Sequence, residues 1–235
     1  KMAPGVAAVE KMFQELEKPA RPFAEKELAE LKKMAADSGQ KEPLAHWDAA
    51  FWSERLREKL YDYTDEQLRP YFPLPRVLDG LFSLSERLFG IKIVKSAMQD
   101  VPKWHEDIEF FDINNEKGQT IAHFYLDPYS RPAEKRGGAW MNECFGRRII
   151  SGKVRLPVIY LVCNGTPPID GRPSLMSFGE VTTLFHEFGH GSQGMLTVID
   201  EAEAAGINGV EWDAVELASQ FMENWCYNRP TLLGM

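Results

Sequence analysis

Cysteine is scarce in this sequence, and long apolar runs are missing. The 235 residues contain three cysteines, Cys144, Cys163 and Cys226, which are scattered and never spaced as CxxC. An odd, unpaired set neither staples a secreted domain nor forms a zinc cluster, so we expect reduced, buried thiols in an intracellular protein. No stretch of about 18 apolar residues occurs, and the first residues lack the apolar core of a signal peptide. We therefore predict no membrane span.

Basic residues are fewer than acidic ones, with 27 Lys and Arg against 35 Asp and Glu. The formal net charge is -8 and no basic patch stands out, so nucleic acid is not an expected partner. Hydrophobic residues make up 44% of the chain, which is enough for one substantial core or two small ones. The composition indicates a globular protein.

Helical spacing of apolar residues dominates residues 1–100. We predict Trp47 and Trp52 as core residues, and Gly90 as the end of the last helix of this region. The predicted helical segments are residues 6–16, a second stretch that Pro22 opens, residues 47–63 and residues 77–88.

The spacing of apolar residues changes from helical to strand-like in residues 101–165, which we predict as a small β-sheet region lining a cleft. Gly118 supplies the left-handed backbone of a hairpin turn. The predicted elements are a hairpin of residues 108–113 and 120–126, a surface loop at 127–138 and a third strand at 156–163. With the helices on either side, the expected fold class is α+β, mainly α.

Residues 185–190 read FHEFGH, a motif of the HExxH type, inside a predicted zinc-binding helical region at 166–235. Ser177 and Glu180 form a capping box that predicts a helix start near residue 178. Because four residues nearly complete one turn, His186 and His190 point to the same place. Zn²⁺ accepts two histidines and one further ligand, and keeps a position for water in catalytic sites. Glu187 is then the candidate general base.

The third ligand must come from elsewhere in the chain. The pattern HExxHxxGxxH would need glycine at 193 and histidine at 196, where this sequence has Gln193 and Leu196. The other common layout takes a glutamate from a following helix, here predicted at residues 211–225 with Asp213 as its N-cap. Glu216 is the best candidate on that helix.

Two side chains near this site have alternatives that stay open from the residues alone. Glu223, two turns after Glu216, is either a competing ligand or a solvated helix charge. Gln220 either orients a ligand or is an ordinary polar helix residue. Gly189 permits close approach by whatever packs on the helix, while Gly191 and Gly194 suit its termination.

The sequence resembles the thimet oligopeptidase family of zinc peptidases, in particular its oligopeptidase A branch. Residues 185–190 and 211–227 carry the resemblance. Supporting matches lie at residues 68–77, 124–127, 136–140 and 156–164. The resemblance implies that His186, His190 and Glu216 bind zinc and that Glu187 is the general base.

The resemblance also implies a zincin-like fragment of a two-lobed helical oligopeptidase that hydrolyses short peptides. The resemblance places the strand at 156–163 beside the cleft, where an exposed strand edge can pair with a peptide. The residue pattern of this strand alone is equally compatible with a buried core strand. Family members occur in the cytoplasm, in mitochondria and in plastids.

The match covers only the middle portion of the longer family members. Their carboxy-terminal part supplies histidine and tyrosine side chains that stabilise the oxyanion. We expect this part to be supplied by another chain or to be absent. Two alternatives to a peptidase follow: a truncated, non-catalytic remnant or binding subunit that still holds zinc, and a helical scaffold with an accidental HExxH motif.

Overall fold

The computed structural model describes residues 3–235 and divides into two compact units, one up to Gln67 and one from Leu68 to Met235. Helices predominate, and one small mixed sheet lies in the second unit. The predicted α+β class is therefore confirmed. The division into regions 1–100, 101–165 and 166–235 stays a prediction.

The first unit is helical, and its first helix is long. Helix α1 is Val6–Asp37, α2 is Ala49–Tyr61, and α3, Asp65–Leu68, crosses into the second unit. The predicted break at Pro22 is wrong, because α1 continues through both Pro19 and Pro22. Each proline removes one backbone donor, but these turns are exposed, so solvent can satisfy the carbonyls that lose a partner.

The two tryptophans that flank the start of α2 differ in burial. Trp47 is 83% exposed, so its prediction as a core residue is wrong. Trp52 is half-buried, and its Nε1 donates a hydrogen bond to the Gln40 side chain at 2.6 Å. The spacing of the apolar residues predicted that they share one face of a helix, but it could not show whether another segment covers that face.

The second unit begins with α4, Leu74–Phe89, which ends at Gly90 with φ +64°, as predicted. A five-stranded sheet and a separate two-stranded hairpin follow. The strands are β1 (Lys92–Lys95), β2 (Glu109–Asn114), β3 (Thr120–Tyr129), β4 (Trp140–Phe145), β5 (Arg148–Ile150), β6 (Lys153–Arg155) and β7 (Val158–Gly165).

The sheet order is β1-β2-β3-β7-β4, with β3 and β7 parallel and the other neighbours antiparallel. The predicted β2–β3 hairpin is confirmed, and Gly118 has φ +74° in its turn. Strand β7 lies between β3 and β4, so the expectation that it offers an exposed edge is wrong. Its alternative as a core strand is confirmed by Ile159 and Leu161, which are almost fully buried. The edge strand on this side is β4.

The predicted surface loop starts later than expected. Strand β3 continues to Tyr129, and Asp127 is buried within it. Its carboxylate tolerates burial because Arg131 and Lys135, from the loop itself, both contact it.

The remaining helices are α5 (Phe178–Met195), α6 (Leu217–Glu223) and α7 (Arg229–Leu232). Helix α5 packs on the sheet, where Gly191 lies close to Leu161 and Gly194 close to Ile159. Both glycines were predicted to suit the end of the helix. That is wrong for Gly191, which lies inside it, whereas Gly194 lies one residue before the last helical residue, Met195. Both permit close contact with β7. Among residues 3–235, none of the helices combines the length and apolar character that crossing a bilayer requires.

Candidate metal centre

Helix α5 is fixed at its start by the capping box that the sequence predicted. The Ser177 hydroxyl accepts a hydrogen bond from the backbone N–H of Glu180 at 3.2 Å, and the Glu180 carboxylate accepts one from the N–H of Ser177 at 2.6 Å. Val181, Phe185 and Phe188 are buried on one face. The capping box therefore sets where the helix begins, and the buried face sets its rotation about its axis. Together they determine where the two histidines point.

His186 and His190 lie together, with ring centroids 4.9 Å apart. Glu216 lies opposite them, with its Oε2 3.3 Å from Nε2 of His186 and 3.0 Å from Nε2 of His190. One ligand atom from each of the three residues falls within 4.8 Å of the other two. The three side chains that the sequence singled out as metal ligands thus converge.

Glu216 comes from a shorter element than predicted. Instead of one helix at 211–225, residues 212–216 form successive turns and α6 begins at Leu217, with Glu216 in the N-cap position and not Asp213. The Ser219 hydroxyl donates to the Glu216 carboxylate at 2.7 Å. This hydrogen bond is the main reason that the pKa of Glu216 is lowered, and the charges of His190 and His186 add to the effect.

Gly189 explains how the two elements come so close. A β-carbon at this position would lie 2.5 Å from the carbonyl oxygen of Ala218 and 2.6 Å from the Cα of Ser219. Only a residue without a side chain permits this contact, as the sequence predicted for Gly189. The close crossing brings Glu216 across to the histidines.

Glu223 lies against the outer side of His186. Its Oε1 is 2.5 Å from Nδ1 of His186, so it orients the ring and does not share the ligand cluster. Gln220 is exposed. Among the described residues, the carboxylates that contact His186 or His190 belong to Glu216 and Glu223. The seven-residue spacing, two turns on one face, was the available signal for Glu223. Ser219 carried no comparable signal.

The hydrogen bond to Glu223 also fixes the tautomer of His186. A carboxylate only accepts, so this contact requires a proton on Nδ1, and a ring that carries no second proton presents a lone pair at Nε2. That lone pair faces the Glu216 carboxylate, a second acceptor. Burial lowers the pKa of His190, which favours its neutral form. Its Nδ1 is buried without a hydrogen-bond partner among the described residues.

The donor set therefore fits a divalent metal ion. Two imidazole nitrogens and one carboxylate oxygen converge. Lone pairs that face each other repel, whereas a cation bound between them would accept all three as ligands.

Glu187 lies next to this cluster and is buried. Its pKa is raised, first by burial and also by the charge of Glu216, whereas the charge of His186 and a hydrogen bond from the backbone of Met141 act in the opposite direction. It lines a groove of about 520 Å³ together with His186, Glu223 and Ala139, the residue before β4. A buried carboxylate beside a metal-ligand set is typical of a metallopeptidase site.

Comparison with known proteins agrees with this class of site. The model of peptidase family M3 matches residues 1–234. The chain belongs to peptidase family M3.

Three relatives are similar over the whole length of this chain. Organellar oligopeptidase A of Arabidopsis thaliana, described as chloroplastic/mitochondrial, is 53% identical over 100% of the chain and 31% of its own length. A probable cytosolic oligopeptidase A of the same plant is 52% identical, over 100% and 34%. Oligopeptidase A of Haemophilus influenzae is 50% identical, over 99% and 34%. The chain spans about a third of the length of these relatives.

Proposed function

We propose that this chain carries the metal centre of a zinc-dependent endopeptidase that hydrolyses short peptides. The observation that carries the proposal is the convergence of two imidazole Nε2 atoms and one Glu216 oxygen, beside the buried carboxylate of Glu187. His186, His190 and Glu216 would hold the ion. Zinc, when bound, would supply a Lewis acid that polarises the scissile carbonyl and makes water more acidic.

Glu187 would act as the general base. Its carboxylate lies in the groove, where it can accept a proton from the attacking water and pass it to the leaving amine. The backbone of Met141 in β4 lies close enough to this carboxylate to act against the rise of its pKa.

The peptide would bind along β4. This strand is the last in the sheet order, so its outer edge is unpaired within the sheet, and Ala139 at its start lines the groove. An extended peptide can add to such an edge through backbone hydrogen bonds. Relatives named as oligopeptidases are consistent with short peptides as substrates.

The test combines metal analysis with cleavage. We expect about one zinc per purified chain and cleavage of a quenched fluorescent peptide, and we expect Glu187→Gln to keep the zinc while cleavage falls by at least about 100-fold. Glu201→Gln, an exposed carboxylate outside the groove, is the control. Zinc without Glu187-dependent cleavage would indicate a non-catalytic, zinc-holding protein instead. Chains without zinc would refute the ligand assignment.

A further inference from the structure

Helices α5 and α6 are joined by a long connection, residues 196–216, which contains turns but neither helix nor strand and ends in Glu216. The Glu216 side chain is 48% exposed, and residues 211–214 before it are exposed as well. Burial therefore contributes little to the position of this ligand. The crossing at Gly189 fixes the chain after Glu216, and the chain before it needs an anchor of its own.

Glu143 of β4 provides such an anchor. Its side chain faces α5, because a β-carbon at Gly194 would lie 3.9 Å from its Oε1. The side-chain amide of Asn208 donates a hydrogen bond to Oε2 of Glu143 at 2.8 Å and another to the carbonyl oxygen of Ala202 at 3.2 Å. Asn208 thus ties the connection both to itself and to the strand.

The second carboxylate oxygen of Glu143 packs against Gly206. This glycine has φ +62°, and a β-carbon there would lie 2.8 Å from Oε1 of Glu143 and 2.9 Å from Cα of Gly194. A residue without a side chain satisfies both the left-handed backbone and the close contact. Arg147, just after β4, binds the same connection at Asp200, further from Glu216 along the chain. Glu143 therefore lies where the connection, α5 and β4 meet.

A series of backbone turns leads from this meeting point to Glu216. Hydrogen bonds close the turns 207–210, 211–214 and 214–217 at 3.4, 2.9 and 3.1 Å. Closed turns leave the chain little freedom, so a displacement of Asn208 is passed on to Glu216. Ligand distances at a metal ion vary by only about 0.2 Å, so even a small displacement matters there.

We propose that Glu143 is a positioning residue for the third metal ligand. It holds Asn208, and through the turns that follow it keeps the Glu216 oxygen opposite the two histidines before an ion binds. The group of side chains that could hold the ion does not include Glu143. The inference rests on the ligand set of the proposed function and adds a residue that acts on this set from the neighbouring strand.

The test measures zinc affinity by chelator competition and ligand geometry by the visible absorption spectrum of the protein loaded with Co²⁺. We expect Glu143→Ala to weaken zinc binding at least about tenfold and to alter the cobalt spectrum, because Glu216 is no longer preorganised. Glu143→Gln keeps an oxygen that accepts from Asn208, so its affinity should stay within about threefold of the wild type. Asn208→Ala removes the donor and should match Glu143→Ala.

Combined variants show whether Glu143 acts through these partners. Residues that act as one unit are not additive, so Glu143→Ala together with Asn208→Ala should lose no more zinc affinity than either change alone. In a Glu216→Ala background, Glu143→Ala should weaken zinc binding by less than about twofold. Additive losses, or an undiminished loss in the Glu216→Ala background, would overturn the positioning role.

Asp112→Ala is the control for a purely structural effect. It breaks a 2.8 Å contact with His123 in the same sheet, on β2 and away from β4. It should lower the stability to urea but leave zinc affinity and the cobalt spectrum unchanged. If it weakens zinc binding as much as Glu143→Ala does, affinity follows overall stability and the proposal fails. Wild-type affinity in Glu143→Ala refutes the positioning role and leaves the peptidase standing, whereas a wild type without zinc refutes both.

Discussion

At the residue level, the His186 ring has one carboxylate at each of its two nitrogens. Glu216 faces its Nε2 and Glu223 faces its Nδ1, at 3.3 Å and 2.5 Å. A carboxylate on the far nitrogen fixes the tautomer and makes the ring a better electron donor toward a metal. Glu223 should therefore affect metal binding although it is not a ligand.

Replacing Glu223 with glutamine tests this role. Glu223→Gln keeps the size of the side chain but removes its charge, so we expect zinc affinity to fall about 10- to 100-fold. Competition with a chromophoric chelator measures the change. Glu201→Gln removes an exposed carboxylate as the matched control. An unchanged zinc affinity in Glu223→Gln would mean that the contact does not tune the site.

At the scale of elements, the close crossing of α5 and α6 determines whether the ligands meet. Gly189 touches the backbone of Ala218 and Ser219, so a β-carbon there cannot be absorbed by a side-chain movement. We expect Gly189→Ala to lower the free energy of unfolding by about 1–3 kcal/mol and to weaken zinc binding, since α6 is displaced.

Gly179→Ala is the control on the same helix. Its β-carbon would meet only the Ser177 hydroxyl, at 3.9 Å, so the substitution should be neutral or stabilising by up to about 1 kcal/mol. Urea unfolding and chelator competition check both variants. If the two alanine variants behave alike, close packing at Gly189 is not what brings Glu216 to the histidines.

The loop that leads into β4 is held by a buried ion cluster. The ammonium of Lys135 contacts the Asp127 carboxylate at 3.0 Å and the backbone oxygens of Tyr129 and Cys163 at 2.7 and 2.5 Å. Burial alone would raise the pKa of Asp127, but hydrogen bonds from Arg131, Lys135 and Trp104 lower it below its usual value. The cluster joins the ends of β3 and β7 to the segment before the edge strand.

Acid should weaken this cluster. A carboxyl with a lowered folded-state pKa stabilises the fold above its unfolded pKa of about 3.9, and that stabilisation is lost as the pH falls through the folded value. We expect Asp127→Asn to lower the free energy of unfolding at pH 7 by about 3–5 kcal/mol and to flatten its decrease below about pH 4. Urea unfolding between pH 3 and 7 measures both, with exposed Asp100→Asn as control. A parallel acid dependence in variant and wild type would contradict the assignment.

At the scale of the whole molecule, metal binding and folding should be coupled. The ligands come from α5 and from the turn before α6, and an ion that binds only the folded chain stabilises it by mass action. Zinc at 100 times its dissociation constant should add about 2.7 kcal/mol to the free energy of unfolding.

Thermal unfolding with and without zinc measures this coupling. His190→Ala should abolish the increment, whereas His46→Ala, an exposed histidine of the first unit, should retain it. An equal response of both variants to zinc would show that the ion acts at another place.

Features that depend on neighbours within a few residues could be predicted from the sequence. The helix start at Ser177, the shared face of His186 and His190 and the β2–β3 hairpin follow from capping and periodicity, which local backbone geometry enforces. Glu216 was found because only a limited set of ligand layouts is compatible with two histidines on a helix.

Other features depend on contacts between segments that are distant in the chain. The position of β7 inside the sheet, the contact between Glu223 and His186 and the uninterrupted helix through Pro22 depend on segments that pack from elsewhere or on solvent. The Asp127–Lys135 cluster is of the same kind, since Lys135 reaches the ends of two strands at once. Local propensity is a weak constraint wherever packing partners are distant in the chain, because burial and hydrogen bonding there depend on which segments meet.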